Sequence, residues 1–260
     1  MSFANTTINS IEMESNDYFE VIDNLLVSKK EEVLLYAAKS INGLIVIPSR
    51  VKRINSNVFK GCNVTEINTN NVEYLDDYCF SEMIVDNVVI ENNVSYIGKD
   101  ILSQTEVRKL KVPFVGNKLE STMNSNLCYL FNNQHRYVPA SLEKVVVTDQ
   151  ILYDQTFAFC SNVKEIVISN GTRQIKKNTF LNCKNLVSFV IPKHIEFIEE
   201  FAFLGCSEKL ILYVHPSSDI NKWDEKFAIV TQVKGISKIF KKNKFAIIDK
   251  DNWKMMDYEL

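Results

Sequence analysis

Glycine and proline are scarce in this chain, with 7 and 5 residues among 260. Numbers this low exclude a collagen-like repeat and a long disordered linker. Acidic and basic side chains nearly balance, 32 against 30, so the formal net charge is −2. A nucleic-acid-binding surface needs clustered positive charge to displace counterions from phosphates. We therefore expect no nucleic-acid partner.

Long apolar runs are also missing. No segment approaches the ~18 consecutive apolar residues that a membrane-spanning helix requires, so we expect no membrane insertion. The start of the chain, residues 1–10, has neither the basic end nor the apolar stretch of a secretion signal. The sequence therefore predicts a cytoplasmic protein, or a cell-surface or secreted one if a leader has been removed.

Motifs that carry chemistry are lacking as well. The 3 histidines are scattered, and the 6 cysteines include no Cys-x-x-Cys pair of the kind that binds zinc. No nucleophile elbow, phosphate-binding glycine loop or His-Glu-x-x-His helix occurs. Residues 249–252 begin like a calcium loop, but Trp253 stands at the fifth position, where a ligand is required. We expect no enzymatic activity, no metal and no cofactor.

What the chain does have is an internal repeat. Phe157, Phe180 and Phe203 are 23 residues apart, and a cysteine follows each ring after three residues. These cysteines are Cys160, Cys183 and Cys206, and Cys62 holds the same place in an earlier copy. A period between 20 and 50 residues predicts stacked units that share one core. Cysteines at equivalent positions would form a buried column and behave as small hydrophobes rather than disulfide partners.

The apolar pattern divides the chain into segments. We predict a flexible arm, an N-terminal capping hairpin, a solenoid with one insertion, and a C-terminal cap. Their bounds are 1–16, 17–43, 44–214 (insertion 114–140) and 215–260. The insertion is expected to form a short helix or turn on the rim of the solenoid. In the cap we expect a short helix over 217–228 and a closing hairpin from strands at 236–240, 245–248 and 253–256.

The repeat resembles the BspA-type leucine-rich repeat family over about residues 44–214. The segments that carry the resemblance are Val51-Lys52-Arg53-Ile54, Thr179-Phe180-Leu181-Asn182-Cys183 and Ile191 to Ile198. The insertion is similar too, through Pro113-Phe114-Val115-Gly116, Tyr129-Leu130-Phe131 and Val138 to Leu142. The resemblance implies a leucine-rich repeat solenoid of short parallel strands with irregular or short helical returns and small hairpin caps. It also implies a role in adhesion or partner binding, since known members are mostly cell-surface or secreted proteins.

Alternation along the strands predicts which side chains face the interior. The inward residues are Ile45, Ile47, Val88, Ile90, Val145, Val147, Ile166, Ile168, Phe189 and Ile191. Between them runs an outward column, Val46, Asn68, Val89, Lys111, Val146, Val167, Val190 and Tyr213, of which all but Asn68 and Lys111 are apolar. Its rim is formed by Lys109, Lys144, Glu165, Ser169 and Thr148. An exposed apolar stripe with a polar rim is typical of a protein-binding face, although β-branched residues also suit parallel strands in general.

The sequence thus predicts a non-enzymatic module that binds a protein through its concave strand face. The predicted contact residues are Val46, Val89, Lys111, Val146, Val167, Val190 and Tyr213. Two alternatives stay open: a structural or self-assembling protein in which this face joins identical copies, and a cell-surface adhesion protein without a separate soluble partner. The least favoured hypothesis is an enzyme with a site in the insertion, which offers His135, Arg136 and few other polar groups.

Overall fold

A computed structural model describes residues 6–14, 16–119, 121–122, 124–149, 151–215, 218–227, 229–233, 236–239 and 245–247. It divides into two compact units, Met1–Leu142 and Glu143–Leu260. Both units are built from short parallel strands joined by tight turns, and the only helical segments in the described chain are three 3-10 turns. The predicted class, a leucine-rich repeat solenoid, is confirmed.

The first unit begins with an antiparallel sheet. Its strands are β1 (Phe19–Ile22), β2 (Leu25–Ser28) and β3 (Val33–Ala37), which pair in that order. They lie where the sequence predicted a capping hairpin. The preceding segment also contacts this sheet, because the carbonyls of Ile8 and Asn9 accept hydrogen bonds from the amides of Lys39 and Ser40.

Two parallel ladders follow in the first unit. One continues from β3 through β5 (Arg53–Ile54), β7 (Tyr74–Leu75) and β9 (Tyr96–Ile97). The other joins β4 (Leu44–Val46), β6 (Asn63–Asn68), β8 (Ile84–Val89) and β10 (Glu106–Val112). Each repeat therefore contributes one strand to each ladder, and the chain alternates between them.

The second unit uses the same plan. Its longer strands are β11 (Lys144–Val147), β12 (Glu165–Ile168), β14 (Ser188–Ile191) and β16 (Ile211–Val214), with β11 paired to β12 and β14 paired to β16. The short strands β13 (Gln174–Ile175) and β15 (Phe197–Ile198) form the other ladder.

The aromatic repeat forms the interior of this second unit. Phe157, Phe180 and Phe203 are all fully buried. Their rings stack, with centroids 5.5 Å apart at 12° for the first pair and 4.9 Å apart at 8° for the second. Phe189 from β14 packs between them at 4.7 Å from Phe180. The predicted shared core of the repeats is therefore confirmed.

The insertion forms the short helical turns that the sequence predicted, but its apolar residues are not on the rim. It contains two 3-10 turns, Leu127–Leu130 and His135–Tyr137, and Leu127, Leu130 and Phe131 are fully buried rather than placed on the rim. The amide of Leu102 donates to the carbonyl of Leu130, just as the amide of Phe80 donates to Ile101. Phe131 directly follows the residue that accepts this hydrogen bond, which is also the place of the aromatic residue in other repeats. The insertion therefore completes a repeat.

The end of the chain also departs from the prediction. In place of a helix over 217–228 there is one 3-10 turn, Ile220–Lys222. The antiparallel pair is β17 (Ile229–Val233) with β18 (Ile236–Ile239), whereas β19 (Phe245–Ile247) pairs parallel to β16. Backbone groups at the edge of β16 would lack partners without a further strand, and β19 supplies that strand. The residues of the third predicted tail strand, 253–256, lie outside the described chain.

Candidate protein-binding face

The strand register places the predicted outward residues side by side. In the first unit Val46 lies opposite Asn68, Asn68 opposite Val89, and Val89 opposite Lys111. In the second unit Val146 lies opposite Val167, and Val190 lies opposite Tyr213. In the first unit the outward column is thus a continuous row, whereas in the second unit the register joins it as two pairs. Parallel pairing without slippage preserves the repeat position from strand to strand.

The exposure of the column varies along its length. Val46 is 51% exposed, and Val89, Lys111, Val167, Val190 and Tyr213 are half-buried. Val146 is an exception, because only 8% of it is exposed. The expectation that Val146 lies open to solvent is wrong, because Val145, Val146 and Val147 of β11 are all buried.

The two parts of the column have different chemistry. In the first unit a polar network crosses it: the amide nitrogen Nδ2 of Asn68 donates to Glu91 Oε1 at 3.0 Å, and Lys111 Nζ donates to Glu91 Oε2 at 3.4 Å. In the second unit the column consists of valines and one tyrosine. In the second unit the apolar contact surface is therefore supplied by Val167, Val190 and Tyr213.

Charged groups border the apolar residues of the second unit. Lys144 Nζ and Glu165 Oε1 are 2.8 Å apart, and these two residues lie opposite each other in the register. Such an exposed pair contributes at most about 1 kcal/mol to stability. Its main effect is to keep the edge of the apolar row hydrated. Ser169 and Thr148, also predicted at the rim, are half-buried.

The described histidines are dispersed along the chain. His194 is exposed, whereas His135 and His215 are half-buried. Burial raises the pKa of the Cys79 and Cys183 thiols well above their usual value, which disfavours the nucleophilic thiolate. Among the described residues no cluster of three or more His, Cys, Asp or Glu side chains is suited to a metal ion. The calcium-like stretch 249–252 lies outside them.

The comparison with protein families decides the assignment. A family model of the BspA type leucine rich repeat region matches 6 copies over residues 35–147, 122–212 and 150–249. The chain belongs to the BspA-type leucine-rich repeat family. The match extends beyond residues 44–214 at both ends, in agreement with the ladder that β3 joins. A search of curated proteins found no significant match.

Three solved structures of leucine-rich repeat proteins are similar to this chain. A leucine-rich repeat protein from Eubacterium ventriosum is 25% identical with a TM-score of 0.54, over 76% of this chain and 53% of that one. The BspA-type chain thus spans about half the length of that protein. A leucine-rich repeat protein from Bacteroides ovatus is 16% identical, with a TM-score of 0.34 over 73% and 76% of the two chains. A leucine rich cell surface protein from Faecalibacterium prausnitzii is 16% identical, with a TM-score of 0.30 over 80% and 90%.

In the described part of the BspA-type chain, no helix has the length and apolarity that crossing a bilayer requires.

Sequence reasoning overlooked exposed aromatic residues on the short strands of both units. Tyr74 on β7 and Phe197 on β15 are 45% and 46% exposed. Both precede the buried residue of their strand, Leu75 or Ile198. The sequence did contain a signal for these residues. An aromatic residue recurs at this place in the repeat, in the outward position of a two-residue strand.

Proposed function

We propose that the protein is a non-enzymatic binding module that holds a protein partner on its strand face. The observation that carries this proposal is the register: the half-buried Val190 and Tyr213 lie opposite each other, and the half-buried Val167 lies opposite the packed Val146. Aligned, half-buried apolar side chains such as Val190 and Tyr213 can be covered by a partner without rearrangement of the backbone. Membership of a repeat family that commonly mediates adhesion or protein binding supports it.

The energetics favour association on the second unit's part of the face. Each square ångström of apolar surface removed from water contributes ~25 cal/mol. Val167, Val190 and Tyr213 are only partly covered by their own unit, so a partner can bury the remainder. Tyr213 is a suitable anchor, because tyrosine adds a hydroxyl to a large apolar ring and is enriched at interfaces.

The first unit contributes directional contacts. Val46 and Val89 flank the network of Asn68, Glu91 and Lys111, whose groups are held in place by hydrogen bonds. Polar groups that are already positioned add specificity at low cost in side-chain entropy. For a partner on the first unit's part of the face, the Glu91 network therefore supplies specificity beside the apolar contacts of Val46 and Val89.

Capture from native extract tests the proposal. Immobilised wild-type protein is used to identify a partner, and binding of that purified partner is then measured for Val167→Asp and Val190→Asp. Both substitutions should weaken binding at least tenfold, because each buries an unpaired carboxylate in the interface. Val187→Asp is the matched control, since Val187 is 51% exposed but lies outside the column. Equal binding by all three variants, with unchanged thermal transitions, would contradict the proposal.

The structural alternative makes a different prediction. If the strand face joins identical copies, the sedimentation coefficient rises with protein concentration, and Val167→Asp abolishes the rise. A monomer at all concentrations removes this alternative. The location in the cell, cytoplasmic or at the surface, stays a prediction that fractionation of native cells can test.

A further inference from the structure

The ladder of short strands in the second unit ends beside Trp223. The amide of Asp224 donates to the carbonyl of Ile198 at 2.9 Å, as the amide of Glu199 donates to that of Ile175 one repeat earlier. Asp224 therefore takes the place of Glu199, and Trp223 takes the place of Ile198, the buried residue of β15. Trp223 is buried as well, with only 5% exposed. The backbone edge of β15 is thus occupied, and the ladder ends on a packed indole ring.

The residue before Trp223 does not continue the strand pattern. Lys222 stands where Phe197 stands one repeat earlier. The amide of Phe197 donates to Arg173 of the preceding repeat, whereas the amide of Lys222 donates to Asp219 within a 3-10 turn. The ring of Phe197 is 46% exposed on this side of the ladder.

A cleft of about 600 Å³ lies against Phe197, and we call it the β15 cleft. Its apolar walls are Phe197, Ile198 and Trp223, and its polar walls include Gln174, which lies opposite Phe197 in the register. Clefts of this size with a few polar groups on an apolar wall are typical of small-molecule sites. Trp223 Nε1 is buried with no acceptor among the described residues, so one wall carries an unsatisfied donor.

Three charged residues of the cleft wall are already engaged with partners. Lys177 Nζ donates to Glu200 Oε1 at 2.6 Å, and this hydrogen bond raises the pKa of Lys177 and lowers that of Glu200. Glu199 Oε1 accepts from Lys176 Nζ, and Glu199 Oε2 accepts from the amide of Lys177, both at 3.0 Å. These side chains are therefore held in place before any ligand arrives.

The two other charged residues of the wall are engaged as well. Asp224 Oδ1 accepts from the amide of Lys226 at 2.7 Å, and Lys222 Nζ lies 3.8 Å from Asp219 Oδ2. A charged ligand would have to displace one of these partners. A hydroxyl group would not, because a carboxylate oxygen with one hydrogen bond retains a lone pair and an ammonium group has three donors. The polar walls therefore favour a neutral ligand that is rich in hydroxyl groups.

The exposed ring of Phe197 adds an apolar requirement. The face of an aromatic ring is the negative part of its quadrupole and attracts weakly positive C–H groups. A pyranose ring meets both requirements, because it has C–H groups on its face and hydroxyl groups around its edge. A peptide strand does not fit, since Asp224 already occupies the edge of β15.

We propose that the β15 cleft binds a neutral hexose unit of an oligosaccharide. The C–H face of the sugar packs on Phe197, and its hydroxyl groups bond the carboxylates of Glu199 and Glu200 and the amide of Gln174. Dissociation constants in the millimolar range are expected, because one exposed ring and a few hydrogen bonds exchanged with water supply the affinity. The site lies outside the strand face, and its test does not depend on the function proposed for that face.

The probes are glucose, lactose, maltotriose and cellotriose, each titrated into the ¹⁵N-labelled 260-residue chain. At least one should shift the indole N–H resonance of Trp223 in a saturable way, and Trp253→Phe assigns that resonance. Glucosamine and glucuronate should bind no more tightly than glucose, because the wall charges are already paired. If none of the four sugars saturates the shift, or if either charged sugar binds tenfold more tightly than glucose, the proposal is wrong.

Matched variants locate the site. Phe197→Ala should weaken binding of the sugar at least tenfold, whereas Phe197→Tyr keeps the ring and should stay within about twofold of wild type. Tyr74→Ala, at the corresponding position of β7, and Val167→Asp, on the strand face, should leave binding unchanged. Undiminished binding by Phe197→Ala with an unaltered thermal transition would overturn the proposal. Loss of binding in Val167→Asp would place the sugar on the strand face and contradict it as well.

Discussion

At the scale of single residues, the position three places after the repeat aromatic carries a side-chain hydrogen-bond donor in several repeats. Cys183 Sγ donates to the carbonyl of Phe157 and Cys206 Sγ to that of Phe180, both at 3.1 Å. In the first unit Thr105 occupies this position and its Oγ1 donates to Phe80 at 2.6 Å. The sequence interpretation of the cysteines as small hydrophobes was therefore incomplete. They also satisfy a buried carbonyl of the preceding repeat.

Replacement of Thr105 tests this role. Thr105→Val keeps the shape of the side chain but removes its hydroxyl. The Phe80 carbonyl then loses its buried donor, and the Met83 amide loses its buried acceptor, Thr105 Oγ1, which lies 3.3 Å away. We expect the free energy of unfolding to fall by about 1–3 kcal/mol in urea titrations. Thr105→Cys restores the donor found in the other repeats and should lose less. If valine is tolerated as well as cysteine, the hydrogen bond contributes nothing.

A second residue-scale property is the recurrence of left-handed backbone conformation. Two places after the aromatic position, φ is 69° at Gly61, 57° at Gln104, 59° at Asn182 and 74° at Gly205. Glycine and asparagine adopt this conformation most readily. Gln104, whose side chain is exposed, is neither glycine nor asparagine.

Gln104→Gly should therefore stabilise the first unit relative to Gln104→Ala. Both variants remove the same exposed side chain, but only glycine relieves the clash of Cβ with the backbone, which costs ~1–2 kcal/mol in this conformation. The measurement is the midpoint of chemical unfolding for the two variants. Equal midpoints, or a lower one for glycine, would show that the positive φ carries no strain.

At the scale of elements, the aromatic stack joins one repeat to the next. Phe180 contacts Phe157, Phe203 and Phe189, with centroid distances between 4.7 and 5.5 Å. A repeat cannot bury its apolar face by itself, so these contacts between turns supply much of the stability of the second unit. The ring geometry adds ~0.5–1.5 kcal/mol per pair beyond area burial.

Phe180→Ala should destabilise the protein by about 3–5 kcal/mol, because it opens a cavity at the centre of the stack. Phe180→Leu fills most of the volume and should cost less, with the difference from wild type reporting the loss of ring stacking. Phe159→Ala is the control, since Phe159 is 40% exposed and lies outside the stack. Calorimetry measures all three. A similar cost for the Phe159 and Phe180 substitutions would contradict the core assignment.

At the scale of the whole molecule, all six cysteines are buried and none forms a disulfide. Burial raises the pKa of Cys62 and Cys128 and raises that of Cys79 and Cys183 well above the usual value. Thiol reagents attack the thiolate, so reaction requires both exposure and ionisation.

We expect none of these thiols to react with a disulfide reagent in the native protein, and all of them to react in denaturant. The native reaction rate should follow the unfolding equilibrium when urea is raised. An absorbance assay of released thiolate measures both. A thiol that reacts rapidly without denaturant would show a locally open repeat, and mass spectrometry would identify it.

The sequence by itself determined the repeating part of this BspA-type chain. Phe157, Phe180 and Phe203 recur at one interval, and a residue in a stacked repeat meets the same neighbours in every copy, so the pattern directly reports the environment. For the same reason alternation along the strands predicted that Val190 and Tyr213 would share a row. Family membership and solenoid fold followed from these local signals.

Only the tertiary structure decided what happens where the period is broken. Phe131 completes a repeat from within the insertion, Val146 is packed although it occupies an outward position, and β19 pairs with β16 instead of closing a hairpin. A 3-10 turn at Ile220–Lys222 stands in the segment where the sequence predicted a helix. Each outcome depends on contacts between residues far apart in the chain, whose hydrogen bonds and packing compete with the local pattern and leave no periodic trace in the sequence.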